Sequence, residues 1–122
     1  MVEVQDFDGL VDGAGYKNSM DDPAAKPKLS LVPGALMRAC ARALMYGAKK
    51  YAPHNWRRGM AVSECLDALE RHSMALNDGE MFDVESGLHH LDHIIANAAF
   101  MAEYFEREEY ASFNDLFGRA VK

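Results

Sequence analysis

The residues of this chain best suited to chemistry lie in ESGLHHLDHIIAN, Glu85 to Asn97. His90, His93 and Asn97 are spaced i, i+3, i+7 and share one face of a helix. The row continues through Met101 and Tyr104. A polar triplet that runs into an apolar stripe points inward. Inward imidazoles need partners, and metals and phosphates are among the candidates. His72 sits in a second apolar row, Cys65, Leu69, His72 and Leu76. Two imidazoles on one helix and a third on a facing helix can converge on an ion, so His72, His90 and His93 are the expected metal ligands. Glu85, Glu80 and Asp83 precede or begin that helix and can reach inward. Glu80 and Glu85 are the candidate catalytic carboxylates. A sphere of histidine and carboxylate suits Mn, Fe, Co or Zn, and tolerates Mg if carboxylates dominate. The competing reading is structural: the histidines bond to one another, to Asn97 and to backbone carbonyls.

A second group is basic and aromatic: Lys49, Lys50, Tyr51, His54, Asn55, Trp56, Arg57 and Arg58. Lysine and arginine attract phosphate, and Trp56 or Tyr51 can stack on a base. Lys49, Lys50, Tyr51, Asn55, Trp56, Arg57 and Arg58, together with Asn97, are therefore the expected substrate-binding residues. The alternative is a solvated basic loop whose lysines complement a helix C-terminus. A third group, Asp78, Glu80, Asp83 and Glu85, crowds the turn between the helices. These acids can hold divalent cations, or serve the turn and cap the next helix.

The elements that must position these groups read as helices. One begins near Pro33 and runs to about Lys50, with small residues on its inner side and Arg38, Arg42 and Lys49 opposite. A second starts with Ser63 as N-cap and ends at the turn Asn77 to Glu80. A third starts with Asp83 as N-cap and runs to about Arg107. Its expected apolar stripe is Leu88, Leu91, Ile95, Ala98, Ala102 and Phe105, with His89, Asp92 and Glu103 on the solvated side. The tail carries Tyr110, Phe113, Leu116 and Phe117 and suits a short amphipathic helix. Strand signals are nearly absent. The expected fold is an all-α bundle of about four helices, with an irregular N-terminal arm over residues 1–29 and one helical domain over residues 30–122.

The totals agree with such a domain. The chain has 122 residues, 49% of them hydrophobic, and a net charge of -6. The acidic balance argues against duplex nucleic acid as a partner. Cys40 and Cys65 fall among alanines and leucines and read as buried hydrophobes in a reducing compartment. With no secretory pattern and no long apolar run, the expected location is the cytoplasm, without membrane contact. A chain this short with long helices often completes its core with a second copy, so a dimer or tetramer is expected.

Taken in order, KPKLSLVP, YGAKKYAPHNWRRGM, LERH and DGEMFDVESGLHHLDHIIAN resemble a family of small phage-associated domains, the N-terminal domain of dATP/dGTP diphosphohydrolases. The likeness covers about residues 26–105. It implies a fold like the all-α, MazG-like nucleoside triphosphate pyrophosphatases. Those are helical bundles, usually homo-oligomeric, that cleave a (d)NTP to the monophosphate and pyrophosphate with Mg or Mn. The chain departs from their signature, an EExxE block followed by ExxD. Asp67, Glu70 and His72 stand in the first position, and His90 and His93 in the second. The resemblance therefore implies a histidine-rich metal site and a small nucleotide as partner, in host cytoplasm for a phage protein. A protein that sequesters a nucleotide without cleaving it is the alternative.

Overall fold

A computed structural model describes residue 21 and residues 25–116. The chain divides into two compact units, residues 1–32 and 33–122. The described part of the first includes a 3-10 turn, Leu29–Leu31. The proposed arm, residues 1–29, lies mostly outside the described residues.

The second unit is built on three α-helices: α1, Gly34–Lys50; α2, Val62–Asn77; and α3, His90–Glu106. Short 3-10 helices follow α1 at Asn55–Arg58 and α3 at Glu108–Phe113. The all-α reading holds, and no strand is present among the described residues. Both α1 and α2 pack on α3, which leaves a cleft between them.

The apolar core sits at one end of the α2–α3 pair. Val62, Cys65, Tyr104 and Tyr110 are buried there, flanked by Trp56, Met60, Phe100, Met101, Phe113 and Leu116. The tail closes this end with edge-to-face and stacked rings: Tyr104 on Tyr110 at 5.3 Å and Tyr110 on Phe113 at 5.7 Å. Tyr104 also donates its hydroxyl to the Trp56 carbonyl at 2.6 Å, tying α3 to the loop after α1. Burial pushes its phenol up to about 12. Gly59 lies in the left-handed region, φ +97°, and an added Cβ would overlap the Phe113 ring. Only glycine allows this loop and the tail to meet so closely.

Four expectations need correction. Helix α2 begins at Val62 with Ala61 as N-cap, because Ser63 gives both its N–H and its hydroxyl to Asp115. Helix α3 begins at His90, not after Asp83, for reasons found in the turn described below. Asp92 is buried, not solvated. Arg42 on α1 meets it through Nε at 2.8 Å and a second nitrogen at 3.1 Å, a two-pronged contact that offsets its desolvation. Finally, most of the predicted inner stripe of α3 faces outward: Leu91 is 44% and Phe105 55% exposed, Ala98 and Ala102 are exposed between them, and only Leu88 and Ile95 are half-buried. The buried face is the one that carries His90, Ala96 and Tyr104. The periodicity marks an apolar stripe, but the described residues leave most of it uncovered.

Because Tyr104 combines full burial with a bond to a backbone carbonyl, Tyr104→Phe should cost about 1 kcal/mol. Tyr104→Ala should cost roughly 3–5 kcal/mol. Urea denaturation followed by circular dichroism measures both.

Candidate metal and nucleotide site

At the other end of the α2–α3 pair lies a polar cluster, held by the turn between the helices. Helix α2 ends with the N–H of Glu80 bonded to the Ala75 carbonyl. Phe82 and His89 form an isolated antiparallel bridge, and the His90 N–H reaches the Met81 carbonyl at 3.0 Å. Within this hairpin, the Asp83 carboxylate takes the N–H and the hydroxyl of Ser86 at 2.8 and 2.7 Å. Gly87, φ +77°, returns the chain by giving its N–H to the Asp83 carbonyl at 2.7 Å. Asp83 thus caps a turn instead of a helix. His89 caps α3, its Nδ1 accepting from the Leu91 N–H at 3.0 Å.

This turn carries Glu80 and Asp83 against the histidines. His72 Nδ1 lies 2.8 Å from His90 Nδ1, and His90 Nε2 lies 3.0 Å from the Glu80 carboxylate. One ligand atom from each of His72, Asp83 and His90 falls within 4.8 Å of the others. His93 stacks on His72, centroids 4.6 Å apart and planes 12° apart. Its Nε2 is 2.7 Å from the Ser86 hydroxyl and 3.8 Å from Asp83.

The protons follow from the partners. A carboxylate only accepts, so neutral His90 donates from Nε2 to Glu80 and keeps a lone pair on Nδ1. A neutral His72 then donates from its own Nδ1, unless a cation replaces that proton. Two imidazole nitrogens that face each other across a hydrogen bond, one of them on a ring held from behind by a carboxylate, could give their lone pairs to a cation in place of the shared proton. Two nitrogens and an oxygen suit Mn, Fe, Co or Zn better than Mg, which prefers oxygen.

Burial lowers the His72 imidazole from its ordinary 6.5, aided by His93 and more weakly by His90, while Asp83 opposes the shift. Burial raises Asp83, but the Ser86 bonds and the imidazoles outweigh it, and its carboxyl ends below 3.8. The site therefore favours neutral His72 and ionised Asp83, the forms that ligate.

Beside the cluster opens a pocket of about 600 Å³ between α1, α2, α3 and the loop after α1. His72, His93 and Asp83 line it, as do Asn97, Trp56, Met60 and Phe100. Of the expected substrate-binding residues, Lys50, Tyr51, Asn55, Trp56 and Asn97 line this pocket. Lys49, Arg57 and Arg58 are exposed and do not line it. Trp56 is half-buried against Phe100 and Tyr110, at 6.2 and 6.3 Å, so it serves the core as well as the pocket wall. Of the expected carboxylates, Glu85 lines the pocket, while Glu80 lies behind His90. Glu85 pairs with Lys50 at 2.7 Å and accepts from the Tyr46 hydroxyl at 3.2 Å. The Lys50 ammonium holds that carboxyl below its ordinary value, and Glu85 in turn raises Lys50.

Ser86, Tyr46 and the Arg42–Asp92 pair were not anticipated from the sequence. Asp-x-x-Ser is a readable turn signal, and Tyr46 stands one helical turn from Lys50. Nothing in the sequence ties Arg42 to Asp92, fifty positions away.

Since His72 is lowered in the folded state, the unfolded chain takes up this proton first as the pH falls. Its contribution to stability is complete above the ordinary value of 6.5 and is lost below it, until the depressed folded value is reached. Asp83 acts in the same direction at lower pH, below 3.8. In chelator-treated protein the urea midpoint should fall between about pH 7 and pH 5, and His72→Leu should flatten that window.

Residues 16–113 match the family described as dATP/dGTP diphosphohydrolase, N-terminal. A relative from Salmonella phage PMBT28, named dATP/dGTP diphosphohydrolase, is 36% identical over 76 residues. That alignment covers 62% of this chain and 26% of the relative, so the chain spans about a quarter of that protein's length. No solved structure matches. The family match takes in the helices, the turn and every residue of the cluster, and the chain belongs to the dATP/dGTP diphosphohydrolase N-terminal domain family.

Proposed function

We propose that this chain is a divalent-metal-dependent pyrophosphohydrolase that cleaves dATP or dGTP to the monophosphate and pyrophosphate. The observation that carries the reading is the convergence of His72, Asp83 and His90 beside a pocket large enough for a nucleotide. The name of the phage relative supports the substrate class. His72, His90 and Asp83 would hold the ion, with Glu80 orienting His90 and His93 packed on His72. A divalent ion there, Mg or Mn and alternatively Zn, Co or Fe, would polarise a phosphoryl oxygen and lower the pKa of water.

The chain's own groups supply the rest. Lys50 lines the pocket, and its ammonium would meet the phosphate chain. Glu85, kept ionised by Lys50, is the pocket carboxylate available to take a proton from water. The apolar wall of Trp56, Met60 and Phe100 would receive the base. An assay of pyrophosphate release across dNTPs with Mn or Mg tests the reading. Nucleotide retained intact under all conditions would favour a sequestering protein instead. Glu85→Gln should lower kcat by about 10²–10⁴-fold with binding retained. Glu80→Gln should weaken metal binding by roughly 10–100-fold in a titration.

A homo-oligomer is part of this proposal. Leu91, Ala98, Ala102 and Phe105 form an outer face of α3 without a charged member, and Leu36, Met37, Leu44 and Met45 are exposed on α1. Isolated soluble chains rarely leave such a face open, and alanines between large residues allow close helix pairing. Ala102→Glu should reduce the mass seen by light scattering to that of one chain, where the unsubstituted protein gives a multiple.

A further inference from the structure

Asn97 stands midway along the pocket wall of α3. His93 lies one turn before it, toward the metal cluster, and Phe100 nearly one turn after it, toward the apolar end. Seven residues of helix from His93 to Phe100 span about 10 Å, roughly the distance from an α-phosphate to a base. Asn97 lies about 6 Å from His93 on the same count, so a nucleotide lying along this wall with its phosphates at the histidines sets its base over the stretch from Asn97 to Phe100.

The orientation of the amide is fixed by chemistry. Its Nδ2 donates to the His93 carbonyl at 2.9 Å, and a carbonyl can only accept. The Asn97 oxygen consequently faces away from that bond. It has no hydrogen-bond partner among the described residues, and it is not sealed from solvent. Asn97 thus lines the pocket with an amide whose oxygen is its open group, held by the Nδ2 bond against turning to offer a donor.

We propose that Asn97 is a specificity-determining residue whose amide oxygen reads an amino group on the base, so the site selects amino-bearing bases over analogues that lack that donor. The inference rests on the nucleotide reading given above. An unmatched acceptor facing a C–H edge loses its hydration without replacement, which is the origin of the discrimination. Nδ2 also ties the amide to the backbone of a residue stacked on His72, so the base and the cluster share one support.

The test compares the α,β-methylene triphosphates of deoxyadenosine and of purine deoxyriboside, which differ by the amino group alone. Binding to the full chain is measured by calorimetry in Mn, and pyrophosphate release from the cleavable pair is followed in parallel. The unsubstituted protein should bind the amino-bearing nucleotide roughly tenfold more tightly. Asn97→Ala should bring the two affinities together by weakening the amino-bearing nucleotide while leaving its analogue unchanged. Equal affinities in the unsubstituted protein, which requires no variant, overturn the inference. So does an Ala variant that keeps the preference or loses both nucleotides equally. If the unsubstituted protein cleaves both nucleotides with equal efficiency, the inference fails and the hydrolase reading survives. If it neither binds nor cleaves either one, both fall.

Discussion

Two imidazole nitrogens 2.8 Å apart cannot both carry protons. This constraint between His72 and His90 organises the open end of the helix pair. It orders the tautomers back to Glu80 and determines which nitrogens have lone pairs to give. It also explains the turn. Glu80 must stand behind His90, and Asp83 must face His72. A tight hairpin with Ser86 bound to Asp83 and a left-handed Gly87 achieves both within a few residues. Were the turn a plain helix start, as Asp83 invites, its carboxylate would be spent on capping α3.

The sequence made the helices legible because their apolar periods are strong, and it made the cluster legible because His72, His90 and His93 recur on those periods. It was less informative where two physical solutions share one signature. Asp83 before Ser86 suits a helix cap and an Asp turn equally well, and only the partners of its oxygens separate them. The α3 helix has two rows that could face inward: one is apolar, with Leu91, Ala98 and Phe105, and one is mixed, with His90, Ala96 and Tyr104. Hydropathy favours the first, but the fold buries the second. A buried polar row is tolerable because each of its heads has a partner: Glu80 for His90, Arg42 for Asp92, Ser86 for His93. Glu80 and Ser86 come from the irregular turn and Arg42 from a helix fifty positions away, so one-dimensional periodicity could not weigh them.

Charge followed the same pattern. Eight residues around the loop after α1 looked like a single basic-aromatic patch. The structure sorts them: Lys50, Tyr51, His54, Asn55 and Trp56 line the pocket, while Lys49, Arg57 and Arg58 remain outside it. Trp56 serves the pocket only because its other contacts, with Phe100 and Tyr110, already fix its ring. Rigidity borrowed from the core is what makes it a useful wall.

The apolar cluster of Val62, Cys65 and Tyr104 and the ionisable cluster of His72 and His90 occupy opposite ends of the same two helices. Cys65 and His72 are seven residues apart, about 10 Å of helix, with no shared hydrogen-bond partner. Perturbations that far apart act almost independently. A lineage of such domains can therefore vary the polar residues at the open end while keeping the apolar end that closes the helix pair. The same scaffold can carry carboxylates in one descendant and imidazoles in the next.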